Sequence, residues 1–215
     1  MWYVDSIGLV KTPRGVTIDG IQHPRNIFTL WTKAELAAIG IKPASITSVD
    51  TRYKNTGEIT WENSGDEALG TYATTDVAVA DLKENMTQSV NSMAASLLSG
   101  TDWMHIREGD GGTAMPADWK TYRAAVRTTA NAKETEIAAL ADIAAVKLYE
   151  NHPVTYTRKT GTTDAEGVTT WAAPNITTNM TVNKVSWTEE GSHADSWPIA
   201  PDHTADPSFV SVANT

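Results

Sequence analysis

Residues 76–100 read DVAVADLKENMTQSVNSMAASLLSG, and apolar side chains recur along them every three or four positions. The stripe consists of Val79, Leu82, Met86, Val90, Met93 and Leu97. This spacing is that of one face of an amphipathic helix. With Asp76 as its N-cap and Gly100 as its stop, the pattern predicts a single long helix over this range.

A second helical tract follows. It opens at Pro116, whose fixed φ suits a first helical turn, and continues without Gly or Pro to Tyr149. The side chains predicted to face inward are Trp119, Tyr122, Val126, Ile137, Leu140, Ala144 and Leu148. Two long helices predict an antiparallel hairpin over residues 76–150, with a flexible Gly-rich tip at 108–113. The Ala-rich middle of the second helix fits both close contact between copies of the chain and plain helix propensity.

The segment before the helices, residues 1–65, alternates short apolar runs with turn-forming residues. Asp19-Gly20 predicts a tight turn between two short strands, because Gly readily takes the positive φ of such turns. A second hairpin turn is predicted at 55–57, and a short helix over 33–39 with Thr32 as its cap. The pattern indicates a small β-rich unit.

The segment after the helices, residues 153–215, returns to an alternation of apolar and polar side chains. The predicted strands are 154–158, 168–171 and 180–187. From residue 189 the tail is expected to be extended, docked or disordered, and the Gly-, Ser- and Thr-rich residues 63–75 are predicted to be a connector. The predicted fold class is therefore α+β, with a β-rich N-terminal unit, a central long antiparallel helical hairpin, and C-terminal antiparallel β-strands with an extended tail.

The composition argues against several classes of function. The 215 residues include no cysteine, which removes disulfides, thiolate nucleophiles and Cys-ligated metal centres. The net charge of −9 argues against a nucleic-acid partner, since phosphate backbones are bound by clustered Lys and Arg. The first residues carry no export signal and no apolar stretch is long enough to span a bilayer, so we expect a soluble protein without membrane insertion.

Side chains of the types that ligate metals or catalyse hydrolysis are concentrated in the tail. They are His193, Asp195, Asp202, His203 and Asp206. Because their spacing matches no zinc or calcium motif, the sequence predicts a solvated loop with no metal site, no cofactor and no catalytic residue. Trp171, Trp187 and Trp197 fit either stacking on a host-surface glycan or covering the core.

Two motifs flank the predicted hairpin tip. Residues 97–104 read LLSGTDWM, and residues 116–127 read PADWKTYRAAVR. Together they resemble a module common in tail proteins and tail-assembly chaperones of tailed bacteriophages. The pattern of that module is Leu-Leu-x-x-Thr-Asp-Trp followed by Trp-x-x-Tyr-Arg-x-x-x-Arg, and the resemblance covers about a quarter of the chain.

The resemblance implies an architectural role for the side chains of this module. The residues expected to clamp the helical hairpin are Asp102, Trp103, Trp119, Tyr122, Arg123 and Arg127. Trp119 and Tyr122 share a helix face onto which Trp103 is expected to fold. The two Arg residues are expected to form a basic ridge beside that face, and Asp102 either caps the loop or pairs with Arg123.

The resemblance also implies a non-enzymatic virion structural protein, such as a tail fibre, a fibre adaptor or another tail appendage. Such a protein is assembled in the host cytoplasm and works in particle assembly or host attachment. The alternatives are a tail or fibre assembly chaperone and a capsid decoration protein. The short chaperones end soon after the second motif, whereas this helix continues into β-strands, which favours a particle component. Expected partners are other virion proteins and further copies of the chain, as a trimer or a ring.

Overall fold

The chain is α+β, as predicted, and it divides into two compact units, residues 1–77 and 78–215. A computed structural model describes residues 1–65, 67–191 and 193–215, without the side chains at 64 and 172–175. The second unit contains both the helices and the C-terminal strands, which the sequence pattern separates into 76–150 and 153–215. Among the described residues, no helix combines the length and the apolar character that a membrane span requires.

The elements of the first unit are β1 (Trp2–Val4), β2 (Gly8–Val10), β3 (Val16–Ile18), β4 (Ile21–His23), α1 (Ile27–Leu30), α2 (Lys33–Ala38), β5 (Ile41–Ile46), β6 (Lys54–Ser64) and β7 (Glu67–Asp76). Five of the strands form a sheet with the order β2-β1-β5-β7-β6, in which the pair β5 and β7 is parallel and the other pairs are antiparallel. A separate two-stranded sheet pairs β3 with β4. The core of this unit consists of Val4, Val10, Val16, Ile18, Ile27, Phe28, Leu36 and Ile41.

Two local predictions in this unit are confirmed. The turn between β3 and β4 has positive φ at both Asp19, 49°, and Gly20, 81°, as a tight hairpin turn requires. Helix α2 begins with a capping box. The Thr32 hydroxyl accepts from the Glu35 backbone N–H at 3.3 Å, and the Glu35 carboxylate accepts from the Thr32 backbone N–H at 2.7 Å.

The two strands that end the first unit correct the sequence prediction. The turn predicted at 55–57 is wrong, because these residues lie inside β6, where the pairing with β7 shifts register. The connector predicted at 63–75 is also wrong, since most of it is β7. Gly70 contributed to the connector prediction, but its role is in the sheet. A Cβ at this position would lie 2.9 Å from the Trp61 ring, so the absence of a side chain permits the close contact with Trp61.

The elements of the second unit are α3 (Val79–Ser99), α4 (Asp102–Gly109), α5 (Ala117–Ala139), α6 (Ile143–Glu150), β8 (His152–Thr163), β9 (Thr169–Val182) and β10 (Phe209–Asn214). Its two long helices, α3 and α5, pack beside a three-stranded antiparallel sheet with the order β10-β8-β9. Helices α3 and α5 are antiparallel, because the end of α3 is bonded to Arg123 and its beginning to Leu140. The predicted stripe of α3 faces inward, with Leu82, Met86 and Val90 buried.

The helix boundaries differ from the prediction at both long helices. Helix α3 begins at Val79, because Asp76 belongs to β7, where it pairs with Lys54. The second helical tract breaks at Leu140, which has an extended backbone and whose carbonyl accepts from Lys83 at 2.7 Å. The Asp142 carboxylate then caps α6, because a short acidic side chain competes for free backbone N–H groups.

The break changes which side chains of the last helix face inward. Leu148 is 58% exposed and Ala144 is exposed, so the inward orientation predicted for both is wrong. Val146 and Tyr149 are buried instead. The connection between α3 and α5 contains the helix α4, which ends at Gly109, inside the predicted tip.

The antiparallel arrangement of the C-terminal strands is confirmed, but the separate strands predicted over 168–171 and 180–187 lie along one strand, β9, which pairs with β8. The strand predicted over 180–187 ends at Val182, where a turn begins. The tail takes the docked form among the predicted alternatives, because β10 pairs with residues 154–158 of β8. The tail therefore completes the sheet.

Candidate functional site

A buried arginine joins the two motifs that flank the predicted hairpin tip. Arg123 on α5 is only 7% exposed and donates to the Leu98 carbonyl at 2.8 Å, to Thr101 Oγ1 at 2.5 Å and to Asp102 Oδ1 at 2.8 Å. Leu98 lies in the last turn of α3, and its carbonyl also accepts from the Thr101 backbone N–H at 3.0 Å and from the Thr101 hydroxyl at 2.9 Å. The guanidinium adds a charged donor to this carbonyl, and it also holds the first turn of α4. The predicted pairing of Asp102 with Arg123 is therefore present.

The aromatic part of the predicted clamp is arranged differently. Trp119 packs edge-on against Tyr122, with 5.7 Å between ring centroids. Trp103 is 53% exposed, and its ring lies 4.9 Å from the Arg107 guanidinium in its own helix. The prediction that Trp103 folds onto the Trp119 and Tyr122 face is corrected accordingly.

The basic ridge predicted on α5 is also corrected. Arg123 is buried, so only Arg127 is exposed, and it donates to the Arg123 carbonyl at 3.4 Å. A ridge of two solvated guanidinium groups does not form, because the Arg123 guanidinium is buried in its contacts with Leu98, Thr101 and Asp102. We call these contacts the Arg123 joint.

A second buried cation on α5 was missed by the sequence reasoning. Lys133 is 3% exposed and donates to the carbonyls of Lys184 at 2.5 Å and Asp195 at 2.6 Å. Burial lowers the pKa of Lys133 to about 8, and the nearby Glu136 carboxylate opposes this shift. The available signal was position, since Lys133 lies between Ala130 and Ile137 on the inward stripe of α5.

The carbonyls held by Lys133 belong to a loop that a second lysine stabilises. The Lys184 ammonium lies 3.0 Å from the Glu136 carboxylate and 3.1 Å from that of Asp195. Burial favours the neutral acid, yet hydrogen bonds from Asn214 and Lys184 leave the pKa of Asp195 lower than usual. The network links α5, the loop and β10.

Two tryptophans complete the core of this loop. Trp197 is fully buried, and its indole N–H donates to the Val185 carbonyl at 2.7 Å. Trp187 is 6% exposed and donates to the Tyr156 hydroxyl at 3.1 Å. Both therefore cover the core, as in one of the two alternatives, and Trp171 is the more exposed of the three, at 37%.

A cavity of about 590 Å³ opens beside this loop. Its lining residues are Leu97, Tyr122, Tyr156, Arg158, Met180, Thr188, Glu189, Glu190, Pro198, Ile199, Ala200, Asp202 and His203. Burial raises the pKa of Tyr156 to about 12, and a hydrogen bond to Glu189 adds to the shift. Burial and the nearby Asp202 charge raise the pKa of Tyr122. Both phenols are therefore neutral donors at physiological pH.

Three of the five tail side chains of metal-ligand type are committed to ion pairs. His203 pairs with Glu190 at 2.6 Å, and Arg158 pairs with Asp206 at 2.6 Å. Asp195 lies in the Lys184 network instead. Across the residues that the structure describes, no group of three or more such side chains could hold a metal ion.

Comparisons with protein-family models, curated proteins and solved structures found no match to this chain. The candidate sites are therefore interpreted from their own chemistry.

Proposed function

We propose that the chain is a non-enzymatic structural protein of a tailed-bacteriophage particle, located at the tail as a fibre, a fibre adaptor or another appendage. The observation that carries the proposal is the Arg123 joint. It connects Leu98, Thr101 and Asp102 of the first motif to the second motif, so the residues that carry the phage resemblance form one structural device.

The contacts of Lys133 with the carbonyls of Lys184 and Asp195 form a second joint. The geometry of the Arg123 and Lys133 joints supports an architectural role. Arg123 and Lys133 are each committed to backbone carbonyls of another segment, which fixes those segments and leaves the cations inaccessible to substrates. A rigid helical pair with a docked β-sheet is a suitable scaffold for contacts with neighbouring chains.

An exposed apolar surface on α4 offers such a contact. Ile106 is 62% exposed and Trp103 is 53% exposed, and their spacing of three places them on one side of the short helix. We expect this surface to contact another virion protein or a second copy of the chain.

Mass spectrometry of fractionated particles tests the proposal. Intact virions, heads and tails of the phage that encodes the chain are purified separately, with the major tail-tube and capsid proteins as recovery standards. We expect peptides of this chain in virions and tails. Its absence from all particle fractions, together with fibreless particles from a gene deletion, would instead identify an assembly chaperone. Its presence in heads alone would identify a capsid decoration protein.

A surface variant tests the role of α4. Ile106→Asp is expected to leave the protein folded but to reduce its amount in virions, because a charge at an interface core opposes association. Leu148→Asp is the matched control, since Leu148 is a similarly exposed apolar residue of another helix in the same unit. Equal incorporation of both variants would contradict the proposed interface.

A further inference from the structure

The cavity of the second unit contains a buried carboxylate whose partners are neutral. Glu189 is 5% exposed. One of its oxygens accepts from the Glu190 backbone N–H at 3.0 Å, the other lies 3.4 Å from the Trp187 indole nitrogen, and the carboxylate is also hydrogen-bonded to the Tyr156 phenol. Within the described part of the chain, no Lys, Arg or His side chain lies within ion-pair distance of Glu189. A buried carboxylate is costly unless a cation compensates it.

The cations that share the cavity are committed to other acids. Arg158 lies against Asp206 at 2.6 Å and donates to Ser208 at 3.2 Å. His203 lies against the Glu190 carboxylate at 2.6 Å. Glu189 and the exposed Asp202 are therefore the acids of the lining that remain available to an incoming cation.

The rest of the lining fits the body of a cationic side chain. Leu97, Met180 and Ile199 supply apolar walls for an alkyl stem. The rings of Tyr122 and Tyr156 supply π faces that attract ammonium and guanidinium groups. A volume of about 590 Å³ lies in the range of small-molecule sites.

We propose that this cavity binds an alkylammonium or guanidinium group, with the Glu189 carboxylate as its anchor. The group is either a free amine or the Lys or Arg side chain of a partner protein. This inference is independent of the particle role, since it rests on the cavity alone.

Titration with matched cationic and neutral probes tests the inference. The probes are n-butylammonium, acetyl-arginine amide and acetyl-citrulline amide, in which a neutral urea replaces the guanidinium. Binding is followed by the NMR signal of the Trp187 indole N–H, which lies beside Glu189. We expect both cations to shift this signal and the citrulline probe to bind at least tenfold more weakly.

The relative affinity of the two cations distinguishes the head groups. Tighter binding of n-butylammonium indicates an alkylammonium, as in a free amine or a Lys side chain, and tighter binding of acetyl-arginine amide indicates the guanidinium of an Arg side chain. Equal binding of the arginine and citrulline probes overturns the inference. Failure of both cations to shift the indole signal of the folded protein overturns it as well.

Variants identify the anchor. Glu189→Gln is expected to weaken cation binding at least tenfold, whereas Glu166→Gln, at an exposed turn residue, is expected to leave it unchanged. Ala200→Phe keeps the carboxylate and fills the cavity, so it should abolish binding even if Glu189→Gln fails to fold. Unchanged binding in a folded Glu189→Gln or Ala200→Phe variant would refute the assignment.

Discussion

Helix α5 carries two buried cations, and each binds backbone carbonyls of another segment, at different separations along the chain. Arg123 holds residues that precede it by 21 to 25 positions, at the end of α3 and the start of α4. Lys133 holds residues 51 and 62 positions later, in the loop that leads to β10. The first joint fixes neighbouring helices, and the second fixes the distant C-terminal loop to the helices.

The two joints also differ in their electrostatics. Arg123 has a carboxylate among its direct partners, whereas the direct partners of Lys133 are carbonyls, and burial lowers its pKa to about 8. A guanidinium stays charged when buried, while an ammonium group readily shifts its pKa. The Lys133 joint is therefore the one that responds to pH.

The largest expected effect concerns the tryptophan beside Lys133. Trp197→Ala should cost about 3–5 kcal/mol of unfolding free energy, because it empties a fully buried site and leaves the Val185 carbonyl without its donor. Chemical denaturation measures the loss. Trp103→Ala, at a half-exposed tryptophan, should cost below about 1 kcal/mol. A loss in Trp197→Ala as small as the one expected for Trp103→Ala would contradict the place of the loop in the core.

Removal of either cation should produce the next largest effect. Arg123→Met and Lys133→Met should each cost about 2–3 kcal/mol, because Arg123→Met removes the charged donor shared by Leu98, Thr101 and Asp102, and Lys133→Met removes the donor shared by two loop carbonyls. Midpoints of chemical denaturation, compared at a constant dependence of the unfolding free energy on denaturant, give the two losses of stability. Arg127→Met is the matched control on the same helix, and it should stay within about 0.5 kcal/mol because Arg127 is exposed. A loss in the control as large as in either variant would contradict the assignment of the joints.

The pH dependence distinguishes the two joints. The pKa of Lys133 is about 8 in the folded chain, below the ordinary lysine value of 10.5 that applies to the unfolded chain. Between these values the unfolded chain binds more protons, so the wild-type protein should gain stability relative to Lys133→Met as pH rises. The gain is at most about 1.4 kcal/mol per pH unit. The raised pKa values of Tyr149 and Tyr156 act in both proteins and cancel in this difference.

Denaturation of both proteins at about pH 7 and about pH 9.5 gives the measurement. Arg123→Met serves as the comparison, because its difference from the wild type should not change over this range. A flat difference for Lys133→Met would contradict the lowered pKa of Lys133.

The smallest expected effect concerns the acid of the Arg123 joint. Asp102→Asn should cost below about 1 kcal/mol, because the Asp102 side chain is 56% exposed and solvent screens its charge. Added salt should reduce this cost further, as thermal unfolding in low and high salt would show. A cost equal to that of Arg123→Met would mean that the ion pair, rather than the carbonyl contacts, holds the joint.

Most of the correctly predicted elements of the fold follow from local sequence patterns. The stripe of α3, the Thr32 cap and the Asp19-Gly20 turn each depend on residues within a few positions of one another. The Asp102–Arg123 pair could be predicted because both residues belong to the two motifs. The remaining features of the fold depend on long-range contacts.

The missed features depend on partners distant in the chain. Lys133 appears as an ordinary polar residue until the loop residues Lys184 and Asp195 are placed beside it. The tail becomes strand β10 because β8 has an edge to pair with. Gly70 signals a connector by composition, yet it permits the approach of Trp61 across the sheet. Local periodicity contains none of these contacts.

Hydrogen exchange of the two cation variants tests most directly whether α5 holds two separate segments. Exchange is measured by mass spectrometry on the wild-type protein, Arg123→Met and Lys133→Met under conditions where all three are folded. We predict faster exchange at residues 98–113 in Arg123→Met only, and at residues 183–197 in Lys133→Met only. Uniformly faster exchange throughout residues 78–215 in both variants would contradict the account.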